Sequence, residues 1–339
     1  MRPLRPTRPQ VLVSRHARET HAALLEGAVA GQDVAWVVLD DLAAAARPAV
    51  HAAFVSRDIT GLSTKHAPQA ALAQCYAVLR AAPELAWVHA HSTGADRPIY
   101  PELRARGVAV TTSAGANAGV VASTALGGLL ALARRLRPLL DAQREGRWAP
   151  LVGAGPLPPD LDGQTAVIVG WGPIAQALQP HLSLLGMKVV VVRRSATPAA
   201  AAAAGIETVA HTELHRVLPR ADWLMLCCPL TDETRGLIDA AALARLPRGA
   251  QIVNVARGEV IVEVAMEAAL SSGQLGGAFL DVFEHEPLRA ESPLWRHPNV
   301  IVTPHSAGQS AGHAVRVATL FSNNLNCWLN GRPLQHAIP

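Results

Sequence analysis

Apolar residues recur along this chain in two rhythms. Short apolar runs at 11–14, 34–39, 53–56, 87–89 and 108–111 have the content of buried strands, and helix-spaced apolar positions fill several intervals between them, as at 69–82. Strands alternating with helices predict a parallel α/β sheet. From 117 to 146 the chain is rich in Ala and Leu and interrupted only by Pro138, which predicts one long helix leading from a first domain into a second. Residues 153–159, with Gly153, Gly155 and three prolines, predict a loop.

The second half has the sharper pattern. Residues 165–170 are almost wholly apolar, as expected of a central parallel strand covered on both faces. A helix over 173–185, a strand over 188–192 and strands at 223–227, 251–255, 277–281 and 300–303 follow. A last helix over 311–330 ends at Asn330-Gly331 with Pro333 beyond, a stop signal. It is long enough to return to the first domain, with Asn323, Asn324 and Asn326 expected on its outer face. The pattern therefore predicts a discontinuous first domain, 1–115 plus 309–339, and a second over 116–308.

Composition narrows the reading. Half the residues are hydrophobic and 17% are charged, so the chain folds, and 339 residues suffice for two domains. The net charge of +4 does not imply a nucleic-acid partner. Lys occurs only at 65 and 188, and the basic clusters Arg134-Arg135-Leu136-Arg137 and Arg193-Arg194 have no interleaved aromatics. Cys75, Cys227, Cys228 and Cys327 show neither metal-ligand nor disulfide-framework spacing, so no metal is expected. Cys227 and Cys228 read as buried strand residues. The basic N-terminus precedes no apolar segment of signal-peptide type, and no run reaches the roughly 18–20 apolar residues of a membrane span. The expected location is cytoplasmic, with no membrane partner.

Gly170-Trp171-Gly172-Pro173-Ile174-Ala175 stands between an apparent strand and helix. That is G-x-G-x-x-A in the context of a dinucleotide site. The first glycine allows a tight turn, the second admits a pyrophosphate, and the small third residue lets helix and strand pack. The helix N-terminus adds free N–H groups and a positive dipole. Where an NAD enzyme carries an acid on the ribose 2′-OH, this chain has Arg193, Arg194 and Ser195. Guanidiniums suit a 2′-phosphate, so NADP(H) is expected over NAD(H).

Arg257, Glu286 and His305 each sit in a short frame: Asn254 to Gly258, Asp281 to Pro287, and Val302 to Ser306. A guanidinium can grip an anionic 2-oxo acid, an imidazole can move a proton at working pH, and a carboxylate can stabilise the imidazolium. His181, His211, His215 and His297 read as surface or capping residues.

These motifs, with Pro229-Leu230-Thr231 through Thr234 and Leu237-Ile238, resemble in type and order those of the D-isomer-specific 2-hydroxyacid dehydrogenases. The glyoxylate/hydroxypyruvate reductase branch is the most similar. The resemblance spans nearly the whole chain and is strongest over 160–310. It implies two Rossmann-like doubly wound parallel-sheet domains: a flavodoxin-like substrate domain and a dinucleotide-binding domain. It implies Arg257 on the substrate, His305 as proton donor and Glu286, rather than Glu284, as the acid beside it. The implied cofactor contacts are Gly170, Gly172, Pro173, Ile174, Arg193, Arg194, Ser195, Pro229, Thr234, Ala256 and Asp281, the last on the nicotinamide carboxamide. Thr93 and Gly94, in a segment running from His91 to Asp96, would offer backbone N–H groups to the substrate carboxylate. Ser123 and Thr124 depart from the family pattern, which often has Glu then His there. The expected activity is NADPH-dependent reduction of a small 2-oxo acid to the D-2-hydroxy acid by a homodimer, the dimer resting also on the apolar helix 117–137.

Other readings stay open: an NAD-dependent D-2-hydroxyacid dehydrogenase for another substrate, phosphoglycerate-like, or a nucleotide-sensing binding protein on the same scaffold. No sequence follows residue 339 for a regulatory domain, which counts against an allosteric phosphoglycerate enzyme. A carboxylate at Glu286 counts against a formate enzyme, whose pattern has Gln there.

Overall fold

The computed structural model describes residues 7–43, 49–64, 67–153, 155–194 and 205–338. The chain divides into two compact units, Met1–Asn117 with Ser310–Pro339, and Ala118–Gln309.

The first unit holds five parallel strands, β1 (Gln10–Val13), β2 (Ala35–Val38), β3 (Ala52–Val55), β4 (Trp87–Ala90) and β5 (Ala109–Thr112), in the order β2-β1-β3-β4-β5. That is the flavodoxin-like order expected. Alternate residues of the inner strands face opposite cores. Leu12, Ala53, Val55 and Val88 pack on one side, while Val11, Val13, Phe54 and Trp87 pack on the other. Phe321, Leu325 and Trp328 of the helix His313–Leu329 close the second side. β1 ends one residue before the expected limit because the Ser14 hydroxyl accepts from Ala17 N (3.0 Å), so it caps the next helix instead.

Of the asparagine run Asn323 is exposed as expected, but Asn324 and Asn326 do not lie on the outer face. Asn324 is fully buried; its Nδ2 donates to Gln335 O (3.0 Å) and its Oδ1 accepts from Gln335 N (2.8 Å). Asn326 Nδ2 donates to Ala28 O (3.0 Å). The C-terminal segment and an N-terminal helix cover that side, and the amides satisfy backbone groups that would otherwise lose water.

His89 is fully buried in an ordered chain of hydrogen bonds. Trp87 Nε1 donates to Thr111 Oγ1 (2.9 Å), whose proton is then free for His89 Nδ1 (2.7 Å). His89 Nε2 in turn donates to Ser113 Oγ (3.0 Å), which donates to Ala90 O (3.1 Å). Ser113 spends its one proton on Ala90 O, so it can only accept from His89 Nε2, and the chain selects the neutral Nε2–H tautomer. Burial, with a smaller push from His336, lowers the His89 pKa from 6.5 to about 3. Between those values the unfolded chain binds the proton and the folded one does not. The contribution of His89 is therefore complete above pH 6.5 and lost as pH falls. About 2 kcal/mol should be gone by pH 5, from roughly 1.36 kcal/mol per pH unit. Urea midpoints at pH 7 and 5 check this: His89→Gln should lose less stability than wild type over that interval, and an equal loss would count against it.

The second unit holds seven parallel strands in the order β12-β11-β10-β9-β6-β7-β8. They are β6 (Thr165–Val169), β7 (Lys188–Arg193), β8 (Glu207–Ala210), β9 (Trp223–Leu226), β10 (Ala250–Asn254), β11 (Leu275–Leu280) and β12 (Val300–Val302). The strand order reverses beside β6, the switch point where such sheets bind nucleotides. β8 escapes the apolar pattern because it is an edge strand with only Val209 buried. Cys227 and Cys228 are buried, but just past the end of β9, where Cys227 N donates to Val169 O (2.9 Å).

The expected long helix is two helices, Ala118–Ala133 and Leu136–Arg144, bent by 74°. The break is at Arg135, which is left-handed (φ 50°), and not at Pro138. Pro138 occupies the first turn of the second helix, where its missing N–H would have no partner anyway. Val121, Ala122, Ala125, Leu129 and Leu132 form a helical stripe buried in this unit's own core. No single helix among the described residues is long and apolar enough to cross a membrane.

Candidate active site

β6 ends where Gly170 turns with φ 100°, and its N–H donates to Val192 O (2.8 Å). A Cβ there would lie 2.7 Å from Cys228 Cα, so close backbone approach and positive φ both demand glycine. Gly172 is different. Its φ is −86°, and a Cβ would meet no protein atom within 4 Å, so neither conformation nor packing requires glycine. Pro173 opens the helix Pro173–Leu184, and no side chain caps it. Pro173 is exposed and Ile174 half-buried at that open end. Arg193 ends β7 and Arg194 is exposed beside it; neither guanidinium has an ion-pair or hydrogen-bond partner among the described residues. Ser195 lies outside the described residues.

Arg257, Glu286 and His305 come together at the carboxyl ends of β10, β11 and β12. His305 Nδ1 donates to Glu286 Oε2 at 2.8 Å. The other carboxylate oxygen accepts from Phe283 N (3.2 Å). Burial pushes the Glu286 carboxyl up. The His305 hydrogen bond and charge, the Phe283 N–H and the Arg257 guanidinium outweigh burial and hold it below its ordinary value of 4.5. Glu284 is exposed and does not reach His305.

Buried groups hold these side chains, among them Asn254 and Gly258 at the ends of the arginine frame and Asp281, which the resemblance put on the cofactor. Asn254 Oδ1 accepts from Ala256 N (3.0 Å) and its Nδ2 donates to Arg257 O (3.1 Å), fixing the turn that presents Arg257. Ala256 is buried in that turn. Gly258 sits where a Cβ would be 1.9 Å from Phe283 C, so the arginine and acid segments touch backbone to backbone. Asp281 is 2% exposed. Its carboxylate accepts from Thr303 Oγ1 (2.6 Å), Ser306 N (2.8 Å) and Ala307 N (3.0 Å). Its carbonyl accepts from His305 N (2.8 Å). This cradle holds His305 at φ 49°, a left-handed conformation unusual for a side chain of that size. Thr124 Oγ1 adds a bond to Ala307 O (3.1 Å), so the departure at Thr124 supports the same turn, while Ser123 only bonds back to Gly119 O (2.8 Å). Thr234 Oγ1 donates to Pro229 O (2.7 Å) and shapes the loop after β9.

In the other unit, Thr93 and Gly94 follow β4. Ser92 Oγ donates to Gly94 O (2.7 Å), and neither the Thr93 nor the Gly94 N–H has an acceptor among the described residues. Arg97 donates to the carbonyls of Thr64 (2.8 Å) and Ser63 (2.7 Å), tying this loop to 57–64. Among the described residues no three His, Cys, Asp or Glu side chains could hold a metal ion.

The family model of the D-isomer specific 2-hydroxyacid dehydrogenase NAD binding domain matches residues 126–307. The chain belongs to the D-isomer-specific 2-hydroxyacid dehydrogenases. It is thus an NAD(P)-dependent oxidoreductase, and residues 126–307 match its NAD binding domain. A glyoxylate reductase of Thermofilum pendens is 33% identical over 261 residues, 75% of each chain. A D-3-phosphoglycerate dehydrogenase of Mycobacterium bovis is 36% identical over 262 residues. They cover 77% of this chain but 48% of that protein, so the chain spans about half its length. A family member from Xanthobacter autotrophicus, solved with NADPH and MES, superposes with TM-score 0.76 at 30% identity over 98% of each chain.

Proposed function

We propose that this dehydrogenase reduces a small 2-oxo acid of the glyoxylate and hydroxypyruvate type to its D-2-hydroxy acid, using NADPH. The observation that carries this is the 2.8 Å bond from His305 Nδ1 to Glu286. A carboxylate held ionised only accepts, so Nδ1 keeps its proton and Nε2 is the atom that changes protonation. The nicotinamide ring supplies the hydride when the dinucleotide is bound. His305 Nε2 gives a proton to the oxygen on which negative charge develops. Arg257 brings permanent positive charge to the 2-oxo acid, and the Thr93 and Gly94 N–H groups take its carboxylate. Asp281 has already met three of its roughly four acceptor positions, which leaves at most one for the carboxamide. Pro229, Thr234 and Ala256 line the cofactor. The test is NADPH oxidation over a panel of 2-oxo acids, and no turnover with any of them would refute the activity.

The unpartnered Arg193 and Arg194 support NADPH over NADH. Charge-assisted bonds of about 1.5–3 kcal/mol each, about 3–6 kcal/mol for the two, put the effect of removing both at roughly 10²–10⁴-fold. Arg193→Ala/Arg194→Ala should therefore lower kcat/KM for NADPH by that factor while NADH changes little. Equal losses for both cofactors would count against it.

We also propose a homodimer. The surface that supports it is not the helix Ala118–Ala133, whose apolar stripe is buried, but the segment after it. Leu136, Leu140, Trp148, Val152 and Leu157 are all exposed there, Trp148 by 93%. Light scattering should give about twice 35.6 kDa, and Trp148→Asp should shift the mass toward the monomer. A monomeric wild type would overturn the proposal.

A further inference from the structure

One histidine of the second unit has a place that its sequence context hides. His211 follows β8 directly and opens the short turn His211–Glu213. β7 and β8 are parallel, with Arg193 in register with Ala210. His211 therefore comes one residue past that pair, where both strands reach their carboxyl ends. Neighbouring strands lie about 4.8 Å apart, which sets His211 beside Arg193 and Arg194. The residue is half-buried, and its ring caps nothing: Nδ1 is enclosed without a hydrogen-bond partner. Nε2 has no partner among the described residues either, and it is not enclosed, so it is the nitrogen open to a ligand. The acid of this turn does not compete for these groups. Glu213 is engaged by Arg216 (3.0 Å) and accepts from Ala210 N (3.3 Å). Two guanidiniums without a counter-charge and an imidazole without a bond thus share one corner of the sheet. Like charges so close repel, and an anion set among them removes that cost. The arginines bring charge on long, solvated arms. The ring is short and partly enclosed, so it loses less freedom on binding and fixes where the anion sits.

We propose that His211 is a further specificity residue for the cofactor, donating from Nε2 to the 2′-phosphate that Arg193 and Arg194 neutralise. This rests on the NADPH reading above. A phosphate oxygen only accepts, so Nε2 carries the proton in the complex. NADH offers a 2′-hydroxyl and no charge at this place, so His211 separates the two cofactors without touching the parts they share.

Fluorescence titration gives the dissociation constants of NADPH and NADH with no substrate present, so the test needs no turnover. His211→Leu should weaken NADPH about tenfold or more, the scale of one charge-assisted hydrogen bond, and leave NADH within about twofold. Unchanged NADH binding also shows that the variant is folded. His211→Gln places an amide N–H near the position of Nε2 and should recover much of the loss. Adenosine 2′,5′-bisphosphate and 5′-AMP differ only in the 2′-phosphate. By calorimetry the bisphosphate alone should bind more weakly to His211→Leu than to wild type. An unchanged NADPH constant in His211→Leu overturns the assignment, as do equal losses for NADPH and NADH, which would mark the ring as a structural part of the fold. Wild-type enzyme that binds NADPH no tighter than NADH removes the NADPH reading itself, and the role of His211 with it.

Discussion

Replacing His305 by Ala should lower kcat by roughly 10²–10⁴-fold, the scale of losing a positioned general acid. The dissociation constant of NADPH, read by fluorescence titration, should change little. The side chain is half exposed, and its ring is held by a single bond to Glu286, so truncation opens no core cavity. Its φ of 49° costs Ala no less than His, so backbone strain does not confound the comparison. Glu286→Gln separates positioning from proton transfer. An amide can still accept from Nδ1 but carries no charge to balance an imidazolium, so kcat should fall by less than in His305→Ala, with a shifted pH profile. Because the folded pKa of Glu286 is depressed, its stabilising effect is complete above its ordinary 4.5 and lost only as pH falls through the lower folded value. Wild-type turnover in His305→Ala would remove the imidazole from the mechanism.

Asp281→Ala should be the most destabilising of the site substitutions. It strands the Ser306 and Ala307 N–H groups and the Thr303 hydroxyl, donors that now meet one buried carboxylate. At about 1–3 kcal/mol for each donor left unpaired, the three together put the loss at roughly 3–9 kcal/mol, toward the low end because Thr303 and Ser306 are only half-buried. For a unit of this size that corresponds to a fall in Tm on the order of 10 °C. Activity should fall with it, because the same bonds hold the turn that carries His305. Asp281→Asn keeps one acceptor and should lie between the two. Unchanged unfolding in Asp281→Ala, with only cofactor affinity reduced, would show that the carboxylate serves the nicotinamide dinucleotide and not the turn.

Much of this was legible in the residues. β6 and its glycine loop announce themselves because a central parallel strand is apolar on both faces and a pyrophosphate tolerates no side chain. The frames of Arg257, Glu286 and His305 could each be read locally. Glu286 and Glu284 could not be separated by type, since both are carboxylates two positions apart; the family pattern favoured one, and the turn places that one on His305. β8 stayed hidden because an edge strand with one buried residue has no apolar signature. The helix break at Arg135 stayed hidden because a left-handed residue there need not be glycine, while Pro138, the visible breaker, fell in a first turn where it breaks nothing.

The sequence by itself determined the alternation of strands and helices, the dinucleotide loop and the residue types available for chemistry, because these depend on local periodicity and on motifs a few residues long. Only the tertiary structure decided which distant groups meet. It pairs His305 with Glu286, sets Gly258 against the backbone of Phe283, and closes Asp281 around the turn at His305. Each of those outcomes depends on two strands ending side by side, and strand order is set by packing across the sheet, not by spacing along the chain.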